Sequence, residues 1–246
     1  MKIAFHTLLI CFFSLSCQHK TETKVSDNKT ALSPTGETIA IETMDKDLIS
    51  KDDAVEVTCD TAVINNIRFM ACHQKGEHFF IVNENRDTIY KHPDWINETE
   101  FIDFNGDGFK DILFHYITNV PDIYDLVLFD EPSNTFRLVE DFQSYPAPKK
   151  IKGSRYYYSY HRSGCADSNW DSDLFYIENF KIIRIANIRG IGCEGEGKNG
   201  IFIFKLKRGK KELVKEIVRK PGYYDDKWAF IDEYWKGQYQ YFANSQ

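Results

Sequence analysis

The 246-residue chain predicts an all-β, antiparallel domain, and three observations carry the prediction. After Val55, short runs rich in Ile, Val, Phe and Tyr are each closed by Asn, Asp, Gly or Pro, as strands bounded by turns are. The runs recur at intervals of roughly ten to fifteen residues with no long amphipathic helix between them, which favours antiparallel over βαβ architecture. Aromatic residues make up 15% of the chain against only 14 Gly and 7 Pro, so a packed core is affordable and disordered or collagen-like classes are excluded.

In order, the expected strands are Ala54 to Cys59, Asn66 to Cys72, His78 to Asn83, Thr88 to Lys91, Ile112 to Tyr116 and Tyr124 to Asp130. They continue with Thr135 to Leu138, Arg155 to His161, Ser172 to Ile177, Lys181 to Ile188, Ile201 to Lys207 and Glu212 to Val218. Glu131-Pro132-Ser133-Asn134 reads as a four-residue hairpin turn, and a second hairpin centres on Glu178-Asn179. The aromatic spacing of Lys227 to Phe242 fits either a strand pair turning at Lys236-Gly237 or a short helix.

The N-terminus has a different composition. A basic Met1-Lys2 start, an apolar stretch from Ile3 to Leu15 and the small Ser16 describe a secretory signal over residues 1–16. Ser16-Cys17 followed by Gln18-His19-Lys20 resembles a bacterial lipobox, with Ser14 at the place where Leu is usual; the resemblance implies that Cys17 is acylated and becomes the mature terminus. No later run approaches the ~20 apolar residues of a membrane span. Residues 17–53, rich in Lys, Thr, Ser, Asp and Glu, read as a lipid-anchored tether with room for a short helix around Thr43 to Ile49. Residues 54–246 form the β-rich domain.

With Cys11 in the signal and Cys17 assigned to lipid, Cys59, Cys72, Cys165 and Cys193 remain. Four cysteines in an exported domain imply disulfides with three pairings open, of which the sequential one suits a hairpin at Cys59 and Cys72 and extends to Cys165 and Cys193. The close two-residue spacing of zinc knuckles is missing.

One motif carries specific chemistry. In Asp103-Phe104-Asn105-Gly106-Asp107-Gly108-Phe109-Lys110-Asp111, oxygen donors alternate: side chains of Asp103, Asn105 and Asp107, the carbonyl of Phe109, and Asp111 as closing carboxylate. A hard cation such as Ca2+ takes this donor set, and Gly108 stands where such a loop turns sharply. The twelfth position, where an EF-hand has Glu, is Phe114, and Ile112-Leu113-Phe114 reads as strand rather than helix.

Phe101 to Leu113, FIDFNGDGFKDIL, resembles the calcium-loop signature of FG-GAP and VCBS-repeat β-propeller proteins. A full propeller repeats the loop in every blade, whereas Asp167-Ser168-Asn169-Trp170-Asp171, the nearest echo, has Ser172 in place of the turning Gly. One loop followed by Tyr124 to Phe129 and a Tyr-rich strand is more similar to a family of periplasmic and lipid-anchored bacterial proteins with a β-propeller-like fold and a single EF-hand-like loop. That resemblance spans Glu100 to Ile188 and implies a β-propeller-like domain, bound Ca2+ and, since a member inhibits C-type lysozyme, a lysozyme-like protein partner.

The segment Arg155 to Cys165 offers a partner surface. Alternation puts Tyr156, Tyr158 and Tyr160 on one face, with Arg162 beyond them, and Tyr suits interfaces because it joins apolar area to a polar tip; the competing role is a half-buried strand. Enzymatic signatures are missing: no GxSxG, HExxH or phosphate loop occurs, and the seven His show no ligand spacing. The formal net charge of -6, with basic residues scattered apart from Lys205 to Lys211, argues against nucleic acid. The expected function is a non-enzymatic, calcium-stabilised envelope binding protein that inhibits a lysozyme-like muramidase, the alternative being a structural or glycan-contacting envelope lipoprotein.

Overall fold

The computed structural model describes residues 57–74, 78–94, 96, 98–120, 122–193, 198–207, 209–219 and 226–244. All lie in the compact unit Gly36–Gln246. The signal at 1–16, Cys17, the tether at 17–53 and the helix considered near Thr43 lie outside the described residues.

The domain is built from three antiparallel sheets. Strands β1 (Val57–Ile64), β2 (Ile67–Gln74), β3 (Phe80–Val82) and β4 (Thr88–Lys91) form a four-stranded meander in chain order. A second meander follows, from β5 (Glu98–Ile102), β6 (Asp111–Tyr116), β7 (Ile123–Asp130) and β8 (Thr135–Leu138). The third sheet takes β9 (Lys149–Lys150), β10 (Tyr156–Tyr158), β11 (His161–Gly164), β12 (Asn169–Glu178), β13 (Lys181–Ile191), β14 (Gly200–Lys207) and β15 (Lys210–Ile217). Its order is β15-β14-β13-β12-β10-β9, with β11 also pairing β12. Among the described residues a single α-helix, α1 (Lys227–Ala243), packs against β12 and β13.

The second sheet is covered on both faces. Along β6 and β7, Ile112, Phe114, Val127 and Phe129 face a core shared with Ile64, Phe69 and Ile81 of the first sheet. The intervening Leu113, Leu126 and Leu128 join Tyr157 and Phe175 of the third. Since successive strand side chains point to opposite faces, a strand buried on both reads as an unbroken apolar run, which is what Ile112-Leu113-Phe114 and Leu126-Val127-Leu128-Phe129 are.

Several expectations are met in detail. Cys59 lies opposite Cys72 in the β1–β2 register and is bonded to it, and Cys165 is bonded to Cys193. The turn after β7 occupies Glu131–Ser133, with Asn134 in the left-handed region at φ 50°, a conformation Asn tolerates.

Others are corrected. The expected strand Arg155 to His161 is broken into β10 and β11: Ser159 N–H still donates to Asp173 of β12 at 2.9 Å, but Tyr160 turns its N–H away to the Pro146 carbonyl at 3.0 Å. The second hairpin turns at Asn179-Phe180, both with positive φ, one residue later than expected. Strands β5 and β9 stand outside the expected set, and β9, at two residues, is too short for alternation to register. Of the two alternatives for the C-terminus the helix forms: Ile231, Trp235 and Phe242 bury one face against Leu174, Ile185 and Ile188. The buried Trp235 indole donates to Ser172 Oγ at 2.8 Å.

Candidate functional site

Strands β5 and β6 present the Asp103–Asp111 loop at their connection. Gly106 and Gly108 adopt φ of 77° and 95°, where a Cβ is strained, so the chain reverses at both. The loop's side chains brace its own backbone. Asp103 accepts from the N–H groups of Gly106 and Gly108 at 2.7 and 3.2 Å, Asn105 Oδ1 from Asp107 at 2.8 Å, and Asp107 Oδ1 from Phe109 at 2.8 Å. The Asn105 amide donates to Asp107 Oδ2 at 2.7 Å.

Asp111 differs from the other donors because it is fully buried. Its Oδ2 accepts from Phe104 and Asn105 N–H at 3.0 and 3.4 Å, and its Oδ1 from Phe129 N–H of β7 at 3.0 Å. Burial pushes this carboxyl up to about 7 against the pull of those N–H donors. Counting two lone pairs per oxygen, Asp103, Asp107 and the Asn105 carbonyl each keep acceptor capacity, whereas Asp111 keeps it only on Oδ1.

Two residues of the third sheet close on the loop. Lys150 of β9 donates its ammonium to the Asn105 carbonyl. Tyr157 stacks on Phe104 with centroids 5.0 Å apart and donates its hydroxyl to the Phe104 carbonyl at 3.1 Å. Beside the loop opens a groove of about 470 Å³, walled also by the β7–β8 and β12–β13 turns.

The expected partner surface is organised differently. Tyr158 and Tyr160 are buried, donating their hydroxyls to Asp232 and Asp167, so they are interior and not a docking face. Tyr156 is half-buried against Tyr176 and Tyr239. Arg162 stays exposed, 4.0 Å from Asp167. The alternation was read correctly, but helix α1 covers the face it defines.

A polar cluster that sequence spacing did not single out lies between the first two sheets. Asp125 Oδ2 accepts from Tyr116 at 2.6 Å and Gln143 at 3.0 Å and lies 3.1 Å from Nε2 of the fully buried His92. Burial raises the Asp125 carboxyl, but these hydrogen bonds outweigh it and hold the group below the ordinary carboxylate range. Among the described residues, His92, Asp94 and Asp125 alone gather three His, Cys, Asp or Glu polar atoms within 4.8 Å of one another; Asp103, Asp107 and Asp111 do not. Among the described residues no helix is long and apolar enough to cross a membrane.

No family model matches the chain, and no curated protein matches it. A solved structure described as a Xanthomonas type IV secretion system related protein is similar at 16% identity and a TM-score of 0.40, over 72% of this chain and 98% of that one.

Proposed function

We propose that the chain is an extracytoplasmic binding protein, anchored through a lipid on Cys17, whose Asp103–Asp111 loop takes Ca2+ and whose target is a lysozyme-like muramidase. The observation that carries the calcium assignment is the loop itself: two left-handed glycines hold an all-oxygen donor set in alternation, with lone pairs left on Asp103, Asn105, Asp107 and one oxygen of Asp111. All-oxygen donors suit a hard cation and disfavour zinc or copper. Bound there, the ion would neutralise a concentration of carboxylate charge. Two four-stranded meanders in chain order support a propeller-like arrangement. The two disulfides fit an oxidising compartment. The muramidase target rests on the sequence resemblance.

Thermal unfolding in calcium and in chelator tests the metal. At a hundredfold excess over Kd, binding to the native state alone adds about 2.7 kcal/mol. An unchanged midpoint, equal to that of Asp107→Ala, would refute the site. Muramidase turnover with added protein tests the target, and undiminished activity against several lysozyme types would refute it.

A further inference from the structure

We propose that β15, the outer edge of the third sheet, pairs antiparallel with β15 of a second copy of this chain. The sheet order ends at β15, and seven of its eight residues, Lys210 to Glu216, are exposed. An edge of that length presents a row of main-chain donors and acceptors to any strand that fits it. Exposed large apolar side chains gather here too. Leu213, Val214, the neighbouring Val218 and Tyr241 of α1 are four of the seven among the described residues, the others being Val63, Ile117 and Trp228. Val214 and Tyr241 share a trough of about 490 Å³ between β15 and α1 with Phe230 and Tyr234.

The strand's own sequence sets the occupant. Lys210-Lys211-Glu212-Leu213-Val214-Lys215-Glu216-Ile217 carries signs that complement themselves when the strand is run backwards. About a twofold between Leu213 and Val214, Glu212 meets Lys215 of the second copy and Lys211 meets Glu216, each contact occurring twice. In a regular strand Glu212 and Lys215, three apart, would point to opposite faces. Val214, however, is bulged out of the β14 ladder: Glu212 pairs with Lys205 and Lys215 with Ile203, two apart, so both share the face toward α1. Both are exposed and make no ion pair with any described residue. Lys211 and Glu216 share the other face, each already holding a partner in its own chain, Asn187 and Lys198. A bulge and lysines ordinarily keep an edge from pairing. Three lysines alone would repel a copy, but Glu212 and Glu216 at the complementary places turn that repulsion into attraction. A twofold perpendicular to the sheet also leaves each α1 on the same face, so the two troughs open toward each other over the joined strands.

Sedimentation of the full chain in density-matched detergent tests the pairing, since any association through the N-terminus is then common to every variant. The chain should be dimeric at ~100 μM. Glu212→Lys and Lys215→Glu each set like charges opposite one another twice and should weaken the dimer about tenfold. Neither side chain has a partner in its own chain, so thermal midpoints equal to that of the unsubstituted protein serve as the folding control. The double variant Glu212→Lys/Lys215→Glu restores opposite signs and should recover the dimer. An equimolar mixture of the two single variants should recover it as well, as heterodimers only. A chain monomeric at that concentration, a dimer indifferent to either reversal, or a mixture that fails to recover would overturn the proposal.

Discussion

Replacing Asp111 by alanine separates holding the loop together from holding an ion. Three backbone N–H groups, on Phe104, Asn105 and Phe129, lose their acceptor. A bond to a charged acceptor contributes roughly 1.5–3 kcal/mol, but this carboxyl is buried and pushed up to about 7, so the neutral-bond value of about 1 kcal/mol is the fairer one. Three such losses give about 3 kcal/mol, or roughly 6–12 °C in Tm for a domain of this size. Asp103→Ala removes two bonds, but both are exposed and water can replace the carboxylate, so the cost is about 0.5 kcal/mol. The assay is urea unfolding with and without chelator. In chelator Asp111→Ala should be far weaker than Asp103→Ala, while both lose the calcium-dependent gain. Equal midpoints for the two variants in chelator would show that Asp111 does not brace β6 against β7.

Acid unfolding should report the cluster at Asp125. A folded-state value below the unfolded one means stability that is present above about pH 4 and lost as pH falls through the folded value. Asp125→Asn should therefore be less stable at pH 7 and show a shallower decline on acidification, measured by urea midpoints; parallel declines would contradict this. Reducing the disulfides should cost about 3 kcal/mol each by loop closure, slightly more for Cys165–Cys193, which spans 28 residues, than for Cys59–Cys72, which spans 13. Serine pairs compared by chemical denaturation would settle the order, and a larger loss for the shorter loop would contradict the loop-entropy account.

Strands with strong local character were legible in the sequence. Ile112 to Phe114 and Leu126 to Phe129 announce themselves as apolar runs, and the Asn134 turn follows from its residue types. The loop was legible as a donor pattern, but the unequal condition of its members was not: Asp111 looks like Asp103 in sequence and differs because its strand enters a two-sided core. The tyrosines failed for a related reason. Alternation says which side chains share a face, and it cannot say that Ile231 and Trp235, some seventy residues later, cover that face. Helix α1 was ambiguous because aromatics at positions 228, 230, 234, 235, 239, 241 and 242 satisfy both periods in part. The groove had no sequence signal, since Asp107, Glu131, Tyr157 and Phe180 meet only through packing.

The double coverage of the middle sheet sets an order of events for a chain that emerges N-terminus first. By the time Leu138 has been made, both meanders are complete and their shared core can close. Leu113, Leu126 and Leu128 then wait on the opposite face until Tyr157 and Phe175 arrive. A chain truncated near residue 140 would therefore fold half its contacts and present an uncovered apolar sheet beside a formed loop. The third sheet is the cover under which the first two become soluble.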